Sequence, residues 1–212
     1  MSDIFERFEQ IGIIPVVVLN DAKDAEPLGR ALMEGGLPAA EVTFRTAAAE
    51  ESIRIMAEKF PDMLVGAGTV LTKDQVDRAA AAGAKFIVSP GFDAEIVKYC
   101  QEKGIPVCPG TQTATEMIAA LNLGLDKVKF FPAENAGGLK MIKAIGAALT
   151  ALRFMPTGGI NAENVKEYLK DPKIFCCGGS WMVKGDMIKA GEFDKIREKV
   201  AEAAAIVKEI RG

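Results

Sequence analysis

The strongest constraint in this sequence is an alternation: short apolar segments and longer stretches of helical periodicity succeed one another from end to end. Segments 13–19, 40–44, 64–67, 86–89, 106–109, 128–131, 153–157 and 174–177 have the length and apolar content of buried strands. Between them, 22–33, 47–59, 73–81, 94–103, 115–121, 139–148 and 162–169 carry apolar residues at helical spacing, and 192–210 ends the pattern with a longer amphipathic helix. Gly35-Gly36, Gly83 and Gly104 fall where a helix must stop before the next strand. Eight such units leave little of the 212 residues for a second domain. Repeated parallel βα units either close into a barrel or stay open as a doubly wound sheet. Several strands carry polar residues that an open sheet, buried on both faces, accommodates poorly. The expected fold is therefore α/β: a single (β/α)₈ TIM barrel over 1–212 with an N-terminal helix, the doubly wound sheet being the alternative.

Composition narrows the chemistry. The chain has no histidine, which removes the Ser-His-Asp triad, the Cys-His dyad and the imidazole metal site. Acid–base work falls to carboxylates, lysine, cysteine or tyrosine. Cys100, Cys108, Cys176 and Cys177 form no CxxC and have poor zinc spacing. They read as reduced, mostly buried small hydrophobes. After Gly66-Ala67-Gly68, Leu71 stands where a GxGxxG motif needs its last glycine, and no GxxxxGK[ST] loop occurs. Neither a cofactor nor a metal is expected. With 26 basic and 29 acidic residues and no long basic run, nucleic acid is a poor partner. The opening MSDIFERFEQ lacks a signal peptide's apolar stretch, and no apolar run approaches the roughly 20 residues of a membrane span. A cytoplasmic protein without membrane association is the expectation.

Reactive groups of a barrel belong at the C-terminal ends of its strands. The second strand reads Ala40-Glu41-Val42-Thr43-Phe44-Arg45, and alternation puts Glu41, Thr43 and Arg45 on the inward face, with Val42 and Phe44 against the helices. That face is either functional or a structural ion pair. In the sixth strand Lys129 stands amid Val128, Phe130 and Phe131. It is either a lysine whose head reaches solvent or a buried nucleophile, because burial penalises an ammonium and a neutral amine forms a Schiff base with a ketone. Lys127 shares its parity but lies nearer the strand's start. Glycine-rich strand ends follow at Gly66-Ala67-Gly68-Thr69, Ser89-Pro90-Gly91, Pro109-Gly110-Thr111, Thr157-Gly158-Gly159 and Gly178-Gly179-Ser180. Pairs at the last two strands expose backbone N–H groups where barrels commonly take a phosphate. A carbon–carbon lyase built on this chain would use an imine, since the imidazole ligands of a zinc aldolase are missing.

Six segments in colinear order carry a resemblance. They are Glu41-Val42-Thr43-Phe44-Arg45-Thr46, Gly66-Ala67-Gly68-Thr69-Val70, Val88-Ser89-Pro90-Gly91, Lys129-Phe130-Phe131-Pro132-Ala133-Glu134, Pro156-Thr157-Gly158-Gly159-Ile160 and Gly178-Gly179-Ser180-Trp181. From about Gly12 onward the chain resembles the bacterial 2-keto-3-deoxy-6-phosphogluconate aldolases, many of which also cleave 4-hydroxy-2-oxoglutarate. The resemblance implies a class I aldolase, usually a homotrimer, acting on small-molecule 2-keto-3-deoxy acids. It implies that Lys129 is the Schiff-base lysine and Glu41 the general acid/base. It further implies that Arg45 and Thr69 bind the pyruvyl carboxylate, while Gly158, Gly159 and Ser180 receive the phosphate. The first strand departs from the pattern: it ends Leu19-Asn20-Asp21 where many relatives carry a basic residue. Two rival functions share the glycines but do not need Lys129: a phosphate-handling isomerase or synthase, and a non-catalytic keto-acid or sugar-phosphate binder.

Overall fold

The structure, a computed structural model, describes residues 4–212. Met1, Ser2 and Asp3, at the head of the segment read against a signal peptide and of the expected 1–212 domain, lie outside the described residues. The N-terminal helix expected ahead of the first strand is α1 (Ile4–Ile11). Strands and helices then alternate: β1 (Ile13–Val17), α2 (Ala25–Glu34), β2 (Ala39–Thr43), α3 (Ala49–Lys59), β3 (Leu64–Gly68), α4 (Lys73–Ala81), β4 (Ile87–Val88) and α5 (Ala94–Glu102). The second half runs β5 (Val107–Cys108), β6 (Gly110–Thr111), α6 (Ala114–Asn122), β7 (Lys127–Phe130), α7 (Gly138–Ala148), β8 (Arg153–Pro156), α8 (Val165–Leu169), β9 (Cys177–Gly179), α9 (Gly185–Lys189) and α10 (Phe193–Arg211). All strand pairs are parallel. They form a six-stranded sheet in the order β5-β4-β3-β2-β1-β9 and a three-stranded sheet in the order β6-β7-β8.

Two expected strands are corrected. The segment expected at 106–109 forms only β5, and a further strand, β6, follows it, because Pro109 between them has no N–H to give the ladder. Its carbonyl still accepts from Lys129 N–H at 2.9 Å, and β6 passes to the other sheet. The segment expected at 174–177 begins as a lone bridge, Phe154↔Ile174, beside β8; the strand proper is β9 beside β1. Cys177 N–H donates to Gly12 O, whereas Phe175 N–H donates to Phe154 O. This stretch therefore crosses from one sheet to the other and has no single partner along its length. Asn161 shortens the helix expected at 162–169, since its side-chain oxygen takes the N–H groups of Glu163 and Asn164 in a turn.

Burial follows the two faces of the strands. Outward residues such as Val42, Val65, Ala67, Ile87, Val128 and Phe154 join the large core beneath the helices. Opposite residues Ile14, Ala39, Leu64, Val88, Cys108 and Met155 form a second core with Phe8 of α1 and with Phe86, Phe175 and Cys176 beside the strands. Glu41 stands two residues on from Ala39 and shares that second, enclosed face. α1 lies across the N-terminal side of this core: the Phe8 ring meets Phe86 edge-on at 4.7 Å and stacks on Phe175 at 6.4 Å. Glu9 grips Arg153 through a two-bond fork, at 2.8 and 2.6 Å, and the Arg153 guanidinium bonded to it holds the Glu9 carboxyl below its ordinary range. From the other end of the chain, Arg211 donates to the carbonyls of Ile174 and Phe175 at 2.8 Å each. Phe8→Ala is expected to lower stability by about 3–5 kcal/mol in urea unfolding, because the cavity cannot collapse between two fixed rings. A loss under about 1 kcal/mol would show that α1 is not part of the core.

Candidate active site

Glu41 belongs to β2, where it pairs in register with Val16 and Gly66; Lys129 belongs to β7, between Gly110 and Met155. Strand alternation turns both side chains into the enclosed face, and they meet there across 88 residues of sequence, Lys129 Nζ donating to Glu41 Oε1 at 3.1 Å. Lys129 is 5% exposed and Glu41 1%. The aromatic ring of Phe131 lies 5.3 Å from the Lys129 nitrogen. Glycine clears the space: a Cβ on Gly68 would collide with the Glu41 carboxylate, and one on Gly110 with the Pro90 carbonyl. Burying such a pair adds little to stability, as desolvation offsets the attraction. Moreover, Glu41 Oε2 is buried without a hydrogen-bond partner, a costly state unless the site binds something polar.

The other expected residues surround the strand ends. Arg45 is exposed, two residues beyond the end of β2, so it projects at the rim and not from within the strand as expected. Its Nε donates to Thr43 Oγ1 at 3.1 Å, and the Thr43 hydroxyl donates to Val17 O at 3.0 Å, which fixes the direction of the guanidinium. Thr69 follows β3 at φ +55°, the one non-glycine residue with positive φ among those described. A β-branched residue is strained there, and such strain clusters at binding sites. Gly158 and Gly159 take φ +97° and +80° after β8. Ser180 is exposed immediately after β9, and the bridge Thr157↔Gly178 sets these two strand ends side by side.

Thr157 was not among the expected site residues, although it opens the Thr157-Gly158-Gly159 end. It is buried, and its hydroxyl oxygen has no partner. Its signal lay in parity, as the next inward position after Met155 on β8. At the end of β1, Asn20 and Asp21 line a cleft of about 430 Å³ whose cations are Lys23 and Lys189. Lys23 is committed to Asp21 at 2.8 Å.

The cysteines are all free and buried. Desolvation pushes Cys100 up to about 11 and Cys177 to about 12, and raises Cys108 and Cys176 as well. Thiols held in that state are poor nucleophiles. Among the described residues, no group of three or more His, Cys, Asp or Glu is placed to hold a metal ion. No helix among them is long and apolar enough to cross a membrane.

The family model for KDPG and KHG aldolase matches residues 4–199. A 2-dehydro-3-deoxy-phosphogluconate aldolase of Treponema pallidum is 47% identical over 207 residues, 98% of this chain and 99% of the relative. The KHG/KDPG aldolase of Escherichia coli K12 is 41% identical over 191 residues, 90% of each chain. Among solved structures, the KDPG aldolase of Legionella pneumophila, with pyruvate captured as a covalent carbinolamine intermediate, superposes with TM-score 0.91 at 40% identity over 94% of this chain and 97% of that one. The Zymomonas mobilis ZM4 enzyme with 3-phosphoglycerate gives 0.90 at 41% identity over 97% of each. The chain belongs to the KDPG and KHG aldolase family.

Proposed function

We propose that this protein is a metal-independent class I aldolase that cleaves 2-keto-3-deoxy-6-phosphogluconate to pyruvate and glyceraldehyde 3-phosphate, and 4-hydroxy-2-oxoglutarate to pyruvate and glyoxylate. The observation that carries the reading is the sealed Lys129–Glu41 contact at 3.1 Å with a second, unpaired carboxylate oxygen. Moving the Lys129 proton to Glu41 along that hydrogen bond leaves a neutral amine, which attacks the C2 ketone. Loss of water gives a protonated imine. Glu41, again a carboxylate, takes the C4 hydroxyl proton; the C3–C4 bond breaks and its electrons pass into the imine, giving an enamine and the free aldehyde. Protonation at C3 by Glu41 and hydrolysis release pyruvate and Lys129. One carboxylate alternating between base and acid suits a chain without histidine.

Arg45, aimed by Thr43, and Thr69 bind the pyruvyl carboxylate; the Gly158-Gly159 turn and Ser180 receive the phosphate. Arg45→Ala is expected to raise KM for every 2-keto acid by about 10- to 100-fold, the worth of a charged hydrogen bond. An unchanged KM would move carboxylate binding elsewhere. Release of pyruvate from each substrate, followed with a lactate dehydrogenase couple, tests the activity directly. A phosphate-handling isomerase would turn over without pyruvate, and a non-catalytic binder would not turn over.

The same reading extends to the assembly. The two sheets close into one (β/α)₈ barrel, supported by the bridges Phe154↔Ile174 and Thr157↔Gly178 and by the direct passage of β5 into β6. The whole chain forms one domain in a cytoplasmic homotrimer. Free buried cysteines support the compartment, and exposed Leu71, Ile118 and Met141 supply apolar surface for association.

A further inference from the structure

The 132–138 segment, between β7 and α7, is anchored at both ends. Its first residues dock on the turn after β8: Ala133 N–H donates to Thr157 O at 2.8 Å and Glu134 N–H to Gly158 O at 3.1 Å. A Cβ on Gly159 would stand 2.6 Å from Glu134 Cβ, so only glycine lets the segments lie this close. At its far end, α7 starts from Gly137, which has no side chain to cap the helix. Tyr168 of α8 stands there instead: its hydroxyl donates to Glu134 Oε1, and both oxygens lie 3.0 Å from where a Cβ on Gly138 would be. Glu134 itself is exposed. A carboxylate is thus tethered to a helix N-terminus, where it is electrostatically favoured, while its own backbone supports the Gly158-Gly159 turn.

We infer that Tyr168 is a positioning residue for the phosphate end of the site: by holding Glu134 at the start of α7, it fixes the Gly158-Gly159 turn and keeps that negative charge off the incoming phosphate. The inference rests on the aldolase reading and adds a determinant of substrate preference to it. Without the phenol oxygen, the Glu134 side chain is free to swing toward the turn, where like charges repel. The pyruvyl end, held by Arg45 and Thr69, is untouched.

Tyr168→Phe keeps the ring and removes only the hydroxyl; thermal unfolding checks that the fold is retained. The expected result is a rise of about five- to tenfold in KM for the phosphorylated substrate, the size of one hydrogen bond, with kcat within about twofold. The pyruvate concentration that half-saturates borohydride trapping should not change, because pyruvate has no distal anion. Adding Glu134→Gln to Tyr168→Phe should recover most of the lost affinity, since a neutral amide does not repel phosphate. Equal losses for pyruvate and for the phosphorylated substrate would overturn the inference, leaving Tyr168 a structural staple. So would an unchanged KM, or a double variant no better than the single one. Failure of the parent reading looks different: the wild-type protein would then trap no pyruvate at all.

Discussion

Lys129→Ala is expected to give no pyruvate adduct under borohydride and to lose turnover by about four orders of magnitude or more, the scale seen when a covalent nucleophile is removed. Among the described residues, Lys129 is the one buried lysine. Lys127, two residues earlier on the same face, is turned toward α1, with its nitrogen 3.1 Å from Asp126 and 5.6 Å from the Phe5 ring. Lys127→Ala should accordingly trap pyruvate as the wild type does, which serves as the paired control. Deleting Lys129 also strands the Glu41 carboxylate in a buried site, so some stability is lost as well. Lys129→Met, which fills the volume, separates chemistry from folding. Turnover retained by a folded Lys129→Met protein would exclude the imine mechanism.

The second large effect is expected at Glu41. Glu41→Gln preserves shape and can still hydrogen-bond the Lys129 amine, but it cannot carry a proton. Imine trapping should persist more slowly, the Lys129 amine then losing its proton to solvent, while cleavage falls by about 10²- to 10⁴-fold, the range for a lost general acid–base group. Exchange of the pyruvate methyl protons with deuterated water should fall with it, because the same carboxylate is assigned to protonation at C3. Full turnover in Glu41→Gln would remove Glu41 from the mechanism, and loss of cleavage with normal exchange would divide its two assigned roles between different groups.

The Lys129–Glu41 meeting was legible in the sequence because it depends only on strand parity. Each residue interrupts an apolar strand at an inward position, and parallel βα repeats turn all such positions toward one enclosed face. Two inward glycines are legible for a related reason: Gly66 and Gly68 share parity with Leu64, and they make room for the Phe86 ring and the Glu41 carboxylate respectively. What parity cannot report is pairing between segments. Segment 174–177 looks like one strand in its composition, yet its hydrogen bonds are divided between β8 and β1. α9 has five residues, too few for a helical period to stand out. Threonine is ordinary in a strand, and only the absence of a partner for its buried oxygen distinguishes Thr157. Tyr168 holds Glu134 at the start of a helix that begins thirty residues earlier, at Gly138, and no local pattern links the two.

The most direct test of the imine mechanism is to incubate the wild-type protein with pyruvate, reduce with borohydride and locate the modified residue by peptide mass spectrometry. A single adduct on Lys129 is the expected result. An adduct on Lys127 would preserve imine chemistry but place it at the wrong level of the enclosed face, and a folded protein that gives no adduct would contradict the Schiff-base mechanism altogether.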